Sequence, residues 1–333
     1  MYREEIAFNY KILKGLHFNF KNERTIHINP GLPFHLLKKR YDLLAIGGWD
    51  QPANWIALFF ANLWRSKILL FGESTLRDAR TNNPLLEKMK RYFFRNCHAF
   101  APAGSAAANY FQHLGAPQDK IVISPFPAEH DYFHEQYLRL RGSKKEIKRH
   151  KGYPQITILF SGRFVPVKGI DFLLEAFKRL QEQNKEIGLV LLGDGPEKNK
   201  YEAYCKAKKI DNVFFEGFVQ KEQLPEYYTA ADIFVLPSLS EPWGLVVNEA
   251  MAFGIPIIST DAAGVTYDLV QDGVNGFVIP AGNSEALYDA LKKLTEDAKL
   301  RERMGSESLL MIENHTPEKW AQSFIRAVQT AMK

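Results

Sequence analysis

The sequence predicts an α/β protein built as two parallel-sheet units, and three observations carry that reading. Short apolar runs alternate with helix-length segments along most of the chain, the rhythm of strands joined through crossover helices. At 333 residues the chain is too long for one ordinary core. A basic stretch over residues 134–154, with a Gly-Ser pair and a closing Pro154, interrupts the rhythm and reads as a linker.

Composition narrows the class further. Apolar residues make up 46% and charged residues 24%, the balance of a soluble globular protein. No apolar run approaches the roughly 18 residues needed to cross a bilayer, and the first residues lack a signal-peptide core, so the expected location is cytoplasmic. The two cysteines, Cys97 and Cys205, lie far apart without metal-ligand spacing and are read as idle thiols.

Charge is unevenly placed. Residues 1–150 hold 23 Lys/Arg against 13 Asp/Glu, and the remainder holds 20 against 25. Lys38-Lys39-Arg40, Trp64-Arg65-Ser66-Lys67 and the run from Lys88 to Arg95 interleave cations with aromatic residues. Such clusters fit either a solvated helix face or a surface that meets anionic lipid or a phosphorylated acceptor, with peripheral contact at the inner face of a membrane under the second reading. Nucleic acid is not expected, since no reading helix, zinc site or aromatic RNA-binding signature accompanies the charge.

In chain order, Ile6–Leu13 and His17–Phe20 read as short strands, followed by a Pro-rich turn at Pro30–Pro33. Asp42–Ile46 is a buried strand ending at Gly47-Gly48, and Ala53–Leu63 is a helix without a charged residue, expected to pack inside its domain. Lys67–Phe71, Ala99–Ala101 and Ile121–Ser124 are further strands; Leu85–Phe94 and Ser105–Leu114 are helices, the second with Ser105 as its N-cap. From Ile156 a second unit gives strands 156–160, 188–192, 213–216, 233–236, 256–259 and 276–279. Between them fall helices near 170–183, 197–208, 222–230, 244–253 and 265–271.

The second unit places its chemistry after its strands, where open parallel sheets bind ligands. Its first loop, Ser161 to Gly169, carries Arg163 and Lys168, a planar fork and a point charge suited together to a diphosphate. Gly162 and Gly193 allow close backbone approach, and Gly193-Asp194-Gly195-Pro196 is a tight turn with proline at the first helical position. Glu216-Gly217-Phe218-Val219 offers backbone groups at Val219 to the edge of a base. After the fourth strand, Glu241 and Glu249 stand with seven residues between them, Glu241 ahead of a helix expected to start near Trp243 or Gly244 and Glu249 on its second turn. A cationic pair, a glycine turn, a base-sized slot and a helix N-terminus bracketed by carboxylates describe a nucleotide-diphosphate-sugar site. Glu249 can accept from a ribose diol and Glu241 from hydroxyls of the transferred sugar.

These residues resemble the retaining GT-B glycosyltransferases of family four. The likeness is carried by G-R-F-V-P-V-K-G at 162–169, G-D-G-P at 193–196, E-G-F-V at 216–219, the E-x7-E pair Glu241 and Glu249, G-I-P-I-I-S-T at 254–260 and D-G-V-N-G-F-V at 272–278. It implies two Rossmann-like domains with parallel sheets facing across a cleft: 1–140 as a shortened acceptor domain, 141–154 as linker, 155–315 as the nucleotide-sugar domain, and 316–333 as a helix crossing back. By this resemblance Arg163 and Lys168 neutralise the leaving diphosphate in place of a metal, Glu241 holds the donor sugar, backbone N–H groups of Trp243, Gly244 and Leu245 meet its hydroxyls and phosphate, and Glu249 clamps the ribose. No metal cofactor is expected, and the chain contains no Asp-x-Asp. The implied reaction moves a hexose from a UDP-sugar, glucose-like by preference, to a saccharide or lipid-linked acceptor in polysaccharide or glycolipid biosynthesis.

The first half departs from the family pattern. Its opening strand, glycine-rich loop and helix have no counterpart in Tyr2–Phe20, and the histidine often found after the strand matching Lys67–Phe71 is replaced by Gly72-Glu73-Ser74. Glu73 is read either as a substitute contact to donor or acceptor or as a plain loop carboxylate. Two other functions remain open: a degenerate nucleotide-sugar-binding subunit that needs a partner chain, and a GT-B nucleotide-sugar epimerase. Retention of both cations and both acids favours the active transferase.

Overall fold

The computed structural model of the protein describes residues 9–19, 25–78, 83–127 and 129–333. Strand β1 (Leu16–Asn19) pairs antiparallel with β2 (Thr25–Ile28), Leu16 opposite Ile28. Of the expected strand at 6–13, residues 9–13 have no regular structure and the rest lie outside the described residues, as does Phe20. Helix α1 (Gly31–Lys38) replaces the expected Pro-rich turn. Pro33 falls in its first turn, where the missing N–H has no intrahelical acceptor to lose.

The first unit is a three-stranded parallel sheet, β3 (Leu43–Gly47), β4 (Lys67–Gly72) and β5 (Ala99–Pro102), in that spatial order. Helix α2 (Pro52–Trp64) joins β3 to β4, and α3 (Pro84–Arg95) joins β4 to β5. Pro52 opens α2, and the Asn83 side chain caps α3 by accepting from the Leu85 N–H at 2.9 Å. Leu58, Ala61, Phe93 and Phe94 close one face of the sheet over Ile46, Ile68, Leu70 and Phe100. The charge-free α2 does not lie wholly inside the domain: Phe59 and Leu63 are 63% and 52% exposed. A helix on a sheet buries one stripe, and these two residues fall outside it.

Helix α4 (Ser105–His113) starts one residue earlier than a Ser105 cap requires. Gly104 takes the capping position, and Ser105 turns its hydroxyl to the second unit instead. Residues 121–124 are not a full strand. Val122 and Ser124 give their N–H groups to the Phe100 and Pro102 carbonyls at 2.9 and 2.8 Å, but bridge pairing occurs only at Ile121.

The segment read as a linker is largely helical: α5 (His130–Leu140) and α6 (Lys144–Lys151). Its basic residues serve a half-buried acid. Asp232 pairs with Lys144 at 2.7 Å and with Lys148, and it accepts the Thr157 N–H at 2.7 Å. Burial works to raise the Asp232 pKa, but the two ammonium groups outweigh it and hold the carboxyl below its usual value. A half-buried carboxylate requires such partners, so α6 is fastened to the second sheet by charge.

The second unit follows the order strand, helix, strand. It comprises β6 (Ile156–Ser161), α7 (Ile170–Gln183), β7 (Ile187–Leu192), α8 (Lys198–Lys208), β8 (Val213–Gly217), α9 (Leu224–Ala230), β9 (Ile233–Leu236), α10 (Leu245–Ala252), β10 (Ile257–Thr260), α11 (Thr266–Leu269) and β11 (Gly276–Ile279). All six strands are parallel, in spatial order β8-β7-β6-β9-β10-β11. This is the doubly wound Rossmann order, which reverses between β6 and β9. Helix α10 begins at Leu245, later than expected, because Gly244 adopts φ +109° as its cap.

Helices α12 (Ser284–Glu296) and α13 (Ala298–Ile312), absent from the expectation, complete the unit. Both carry side-chain caps, Asn283 accepting from Ala286 and Asp297 from Leu300. Finally α14 (Pro317–Met332), capped by Thr316, returns to the first sheet. Its Ala327 and Ala331 pack with Leu69, Ala99 and Ala101, on the face opposite α2 and α3. Among the described residues no helix is long and apolar enough to cross a membrane.

Candidate nucleotide-sugar site

The strand order puts the loops after β6 and β9 side by side, and backbone contacts knit them to the loops after β7 and β8. Gly193, at φ +130°, comes so close to the Gly162 carbonyl that a Cβ would run into its oxygen, and it gives its N–H to the Gly217 carbonyl at 2.7 Å. Gly169, at φ +68°, lies equally close to the Pro237 carbonyl. The Phe164 N–H reaches the Asp194 carbonyl at 2.9 Å, and the Leu239 N–H reaches that of Val167 at 2.8 Å. Four loops distant in sequence therefore form one carboxyl-edge surface.

At the reversal point Lys168 donates to Glu241 in an ion pair whose side chains are 20% and 14% exposed. That depth matters, because solvent and salt screen a partly buried pair much less than a surface one. The Glu241 main chain is held on both sides: its N–H donates to the Ala262 carbonyl at 3.1 Å and its carbonyl accepts from Gly264 at 2.9 Å. Arg163 stands exposed in the same Gly-bounded loop as Lys168, one residue beyond Gly162. A cation and an acid thus meet at the mouth of the sheet, with a second cation in the adjoining turn.

Glu249 lies on the second turn of α10 and points toward α9. The Tyr228 hydroxyl, fully buried, donates to Glu249 Oε2 at 2.6 Å. Burial raises the Glu249 pKa; the Tyr228 hydrogen bond opposes that rise, Glu129 adds to it and Lys221 opposes it. Val219 is half-buried beside the exposed Phe218, just beyond Gly217.

Four further expected site residues, Trp243, Gly244, Leu245 and Glu73, lie around this edge. Trp243 buries its ring against Gly104 of the first unit and donates from Nε1 to Asn248 Oδ1 at 3.2 Å, so its side chain joins the units. Gly244 is the α10 cap, and Leu245 is 43% exposed at the first helical position. The N-terminal turn of α10 leaves backbone N–H groups without intrahelical acceptors, as every helix start does. Glu73 is exposed after β4, two residues before Thr75. Thr75 helps line a small cavity of about 60 Å³ between the units, together with Arg77, Asn109, Asp261, Gly264 and Tyr267.

Several residues of this region had no sequence signal. Arg77 and Asp261 form a two-point ion pair at 2.7 and 3.2 Å between the units. Asp268 accepts from the Ser105 N–H at 2.9 Å and hydroxyl at 2.6 Å. Asn248 links α10 to the Phe126 carbonyl at 3.3 Å. Tyr228 looked like any core aromatic. Among the described residues no three His, Cys, Asp or Glu side chains cluster as metal ligands.

The model of the family described as glycosyl transferases group 1 matches residues 143–311, just over half of the chain. The chain belongs to that family. It is 32% identical over 232 residues to an alpha-D-kanosaminyltransferase of Streptomyces kanamyceticus, covering 69% of this chain and 59% of that protein. It is 30% identical over 206 residues to a sulfoquinovosyl transferase of Arabidopsis thaliana, covering 61% and 36% respectively. The chain spans about half the length of the curated relatives it matches. Among solved structures, Anabaena HepE in complex with UDP superposes with TM-score 0.74 at 17% identity over 91% of this chain and 82% of that one. A sucrose-phosphate synthase from Thermosynechococcus elongatus does so with TM-score 0.72 at 19% identity, over 89% and 75%. At such identities the likeness shows the fold, and the fold is GT-B.

Proposed function

We propose that this family member transfers a hexose from a UDP-sugar to a saccharide or lipid-linked acceptor with retention of configuration and without a metal, in polysaccharide or glycolipid biosynthesis. The observation that carries the proposal is the Lys168–Glu241 pair at the reversal point of the second sheet, with Arg163 in the same loop as Lys168 and Glu249 on the second turn of the helix that follows Glu241. HepE has been solved with UDP-glucose, which supports a glucose-like donor.

In this reading Arg163 and Lys168 take the diphosphate, Glu241 takes hydroxyls of the sugar and Glu249 the ribose diol. The bond from the anomeric carbon to phosphate oxygen breaks while the acceptor oxygen bonds to the same face of that carbon. The acceptor proton passes to the departing phosphate, and UDP leaves. Negative charge grows on the leaving group in the transition state, so two fixed cations there lower the barrier more than they stabilise the ground state.

UDP should raise the melting temperature in the presence of EDTA, since at a hundredfold excess over Kd binding adds about 2.7 kcal/mol to the native state. Glu241→Ala should lower donor turnover by roughly 10²–10³-fold. Unchanged turnover removes the catalytic role of Glu241; binding without turnover in wild type points to a binding subunit, and interconversion of UDP-sugars without acceptor points to an epimerase.

The same proposal includes contact with an anionic membrane surface. On α3, Leu85, Lys88, Met89, Tyr92 and Arg95 form one exposed stripe at helical spacing. Tyr92 stacks on Trp55 of α2, whose outer side carries the exposed Phe59 and Leu63. Apolar side chains ringed by cations complement anionic headgroups.

A further inference from the structure

We propose that Tyr228 is the positioning residue of the nucleotide site: its buried hydroxyl fixes the Glu249 carboxylate for the diol of a ribose. The inference rests on the nucleotide-sugar reading above and adds a residue that no motif contains. A carboxylate on the rim of a cleft has free side-chain rotation unless something holds it, and rotation costs affinity each time a ligand selects one orientation. Here the holding group is rigid. The Tyr228 ring is fully buried and packs on Phe133, Phe234 and Phe253, with centroids 6.3, 6.2 and 5.5 Å away.

The direction of this hydrogen bond is informative. Tyr228 donates to Glu249 at 2.6 Å. A donor aimed at Glu249 favours its ionised form. One of the roughly four acceptor positions of the carboxylate is taken by Tyr228, leaving others for two vicinal hydroxyls.

The titratable groups facing Glu249 set how binding responds to pH. They are Tyr228 on α9, Lys221 in the turn before α9, and Glu129 before α5. Removing the Tyr228 hydroxyl deletes an interaction that keeps the Glu249 pKa down, so the pKa rises. Binding that requires the ionised carboxylate is lost as pH falls through that value, and the loss moves to higher pH in the variant.

The test compares wild type, Tyr228→Phe and Glu249→Gln by calorimetric titration with UDP and with 2′-deoxy-UDP. Phenylalanine retains the packed ring, and circular dichroism with thermal melting checks that each variant is folded. We expect wild type to favour UDP over its deoxy analogue, Tyr228→Phe to bind UDP on the order of tenfold more weakly with most of that preference gone, and its acid limb to shift upward. Glu249→Gln should lose the preference together with the acid limb. A folded Tyr228→Phe that retains the UDP preference and the wild-type pH profile overturns the inference while leaving the site intact. Wild type that binds neither UDP nor other nucleoside diphosphates overturns both.

Discussion

The two sheets of this chain are built to different tolerances. In the second unit, loops after β6, β7, β8 and β9 touch through backbone, with glycine at the tightest approaches, and β7 and β9 beneath them are wholly buried. In the first, a three-stranded sheet supports helices that turn Phe59, Leu63, Leu85 and Tyr92 outward among lysines and arginines. On the proposed function the difference follows from what each unit would meet: a diphosphate-sized ligand needs backbone and fixed charge within a few ångströms, whereas a membrane surface needs area and net charge.

If that contrast is right, small changes in the second unit should cost far more than large ones on the first. Gly193→Ala is the severest case, because the added Cβ runs into the Gly162 carbonyl at a φ of +130° that disfavours any side chain. It should destabilise the native state by more than about 3 kcal/mol in urea unfolding and abolish UDP binding; near-wild-type stability would refute the tight-loop description.

A smaller loss is expected at the α6 attachment. Asp232→Ala leaves Lys148 buried without its anion and should cost roughly 3 kcal/mol at neutral pH. The native pKa of Asp232 lies below its unfolded value, so its contribution is complete above about pH 4 and disappears as pH falls through the native value. Wild type and variant should therefore converge in stability in acid, and a constant gap across that range would argue against the charge mechanism.

The least effect on stability belongs to the outer face of α3. Lys88→Glu with Arg95→Glu should change unfolding free energy by no more than about 0.5 kcal/mol. Flotation with vesicles containing phosphatidylglycerol should weaken on the order of tenfold or more at low salt, and neutral vesicles should show no difference. Unchanged flotation would remove the membrane contact and reduce the contrast to one of packing alone.

The strands of the second unit were legible because each is a short, continuous apolar run between glycine-bearing turns, and β9 and β11 begin and end where the periodicity places them. Legibility failed where local pattern and tertiary role diverge. The cations of α6 resemble a solvated linker until Asp232 is seen beneath them. Ser105 has the chemistry of a cap but spends its hydroxyl on Asp268. The charge-free α2 suggested full burial, yet a sheet covers only one of its sides.

What the residues determined unaided was the succession of strands and helices, the turns that need glycine, and the charges offered after each strand, since all of these depend on neighbours within a few positions. Only the assembled molecule decided that Lys168 and Glu241, 73 residues apart, would meet. Their meeting follows from the order in which β6 and β9 pair, a long-range choice made by burial of both sheet faces at once, and no stretch of sequence shorter than the whole unit contains it.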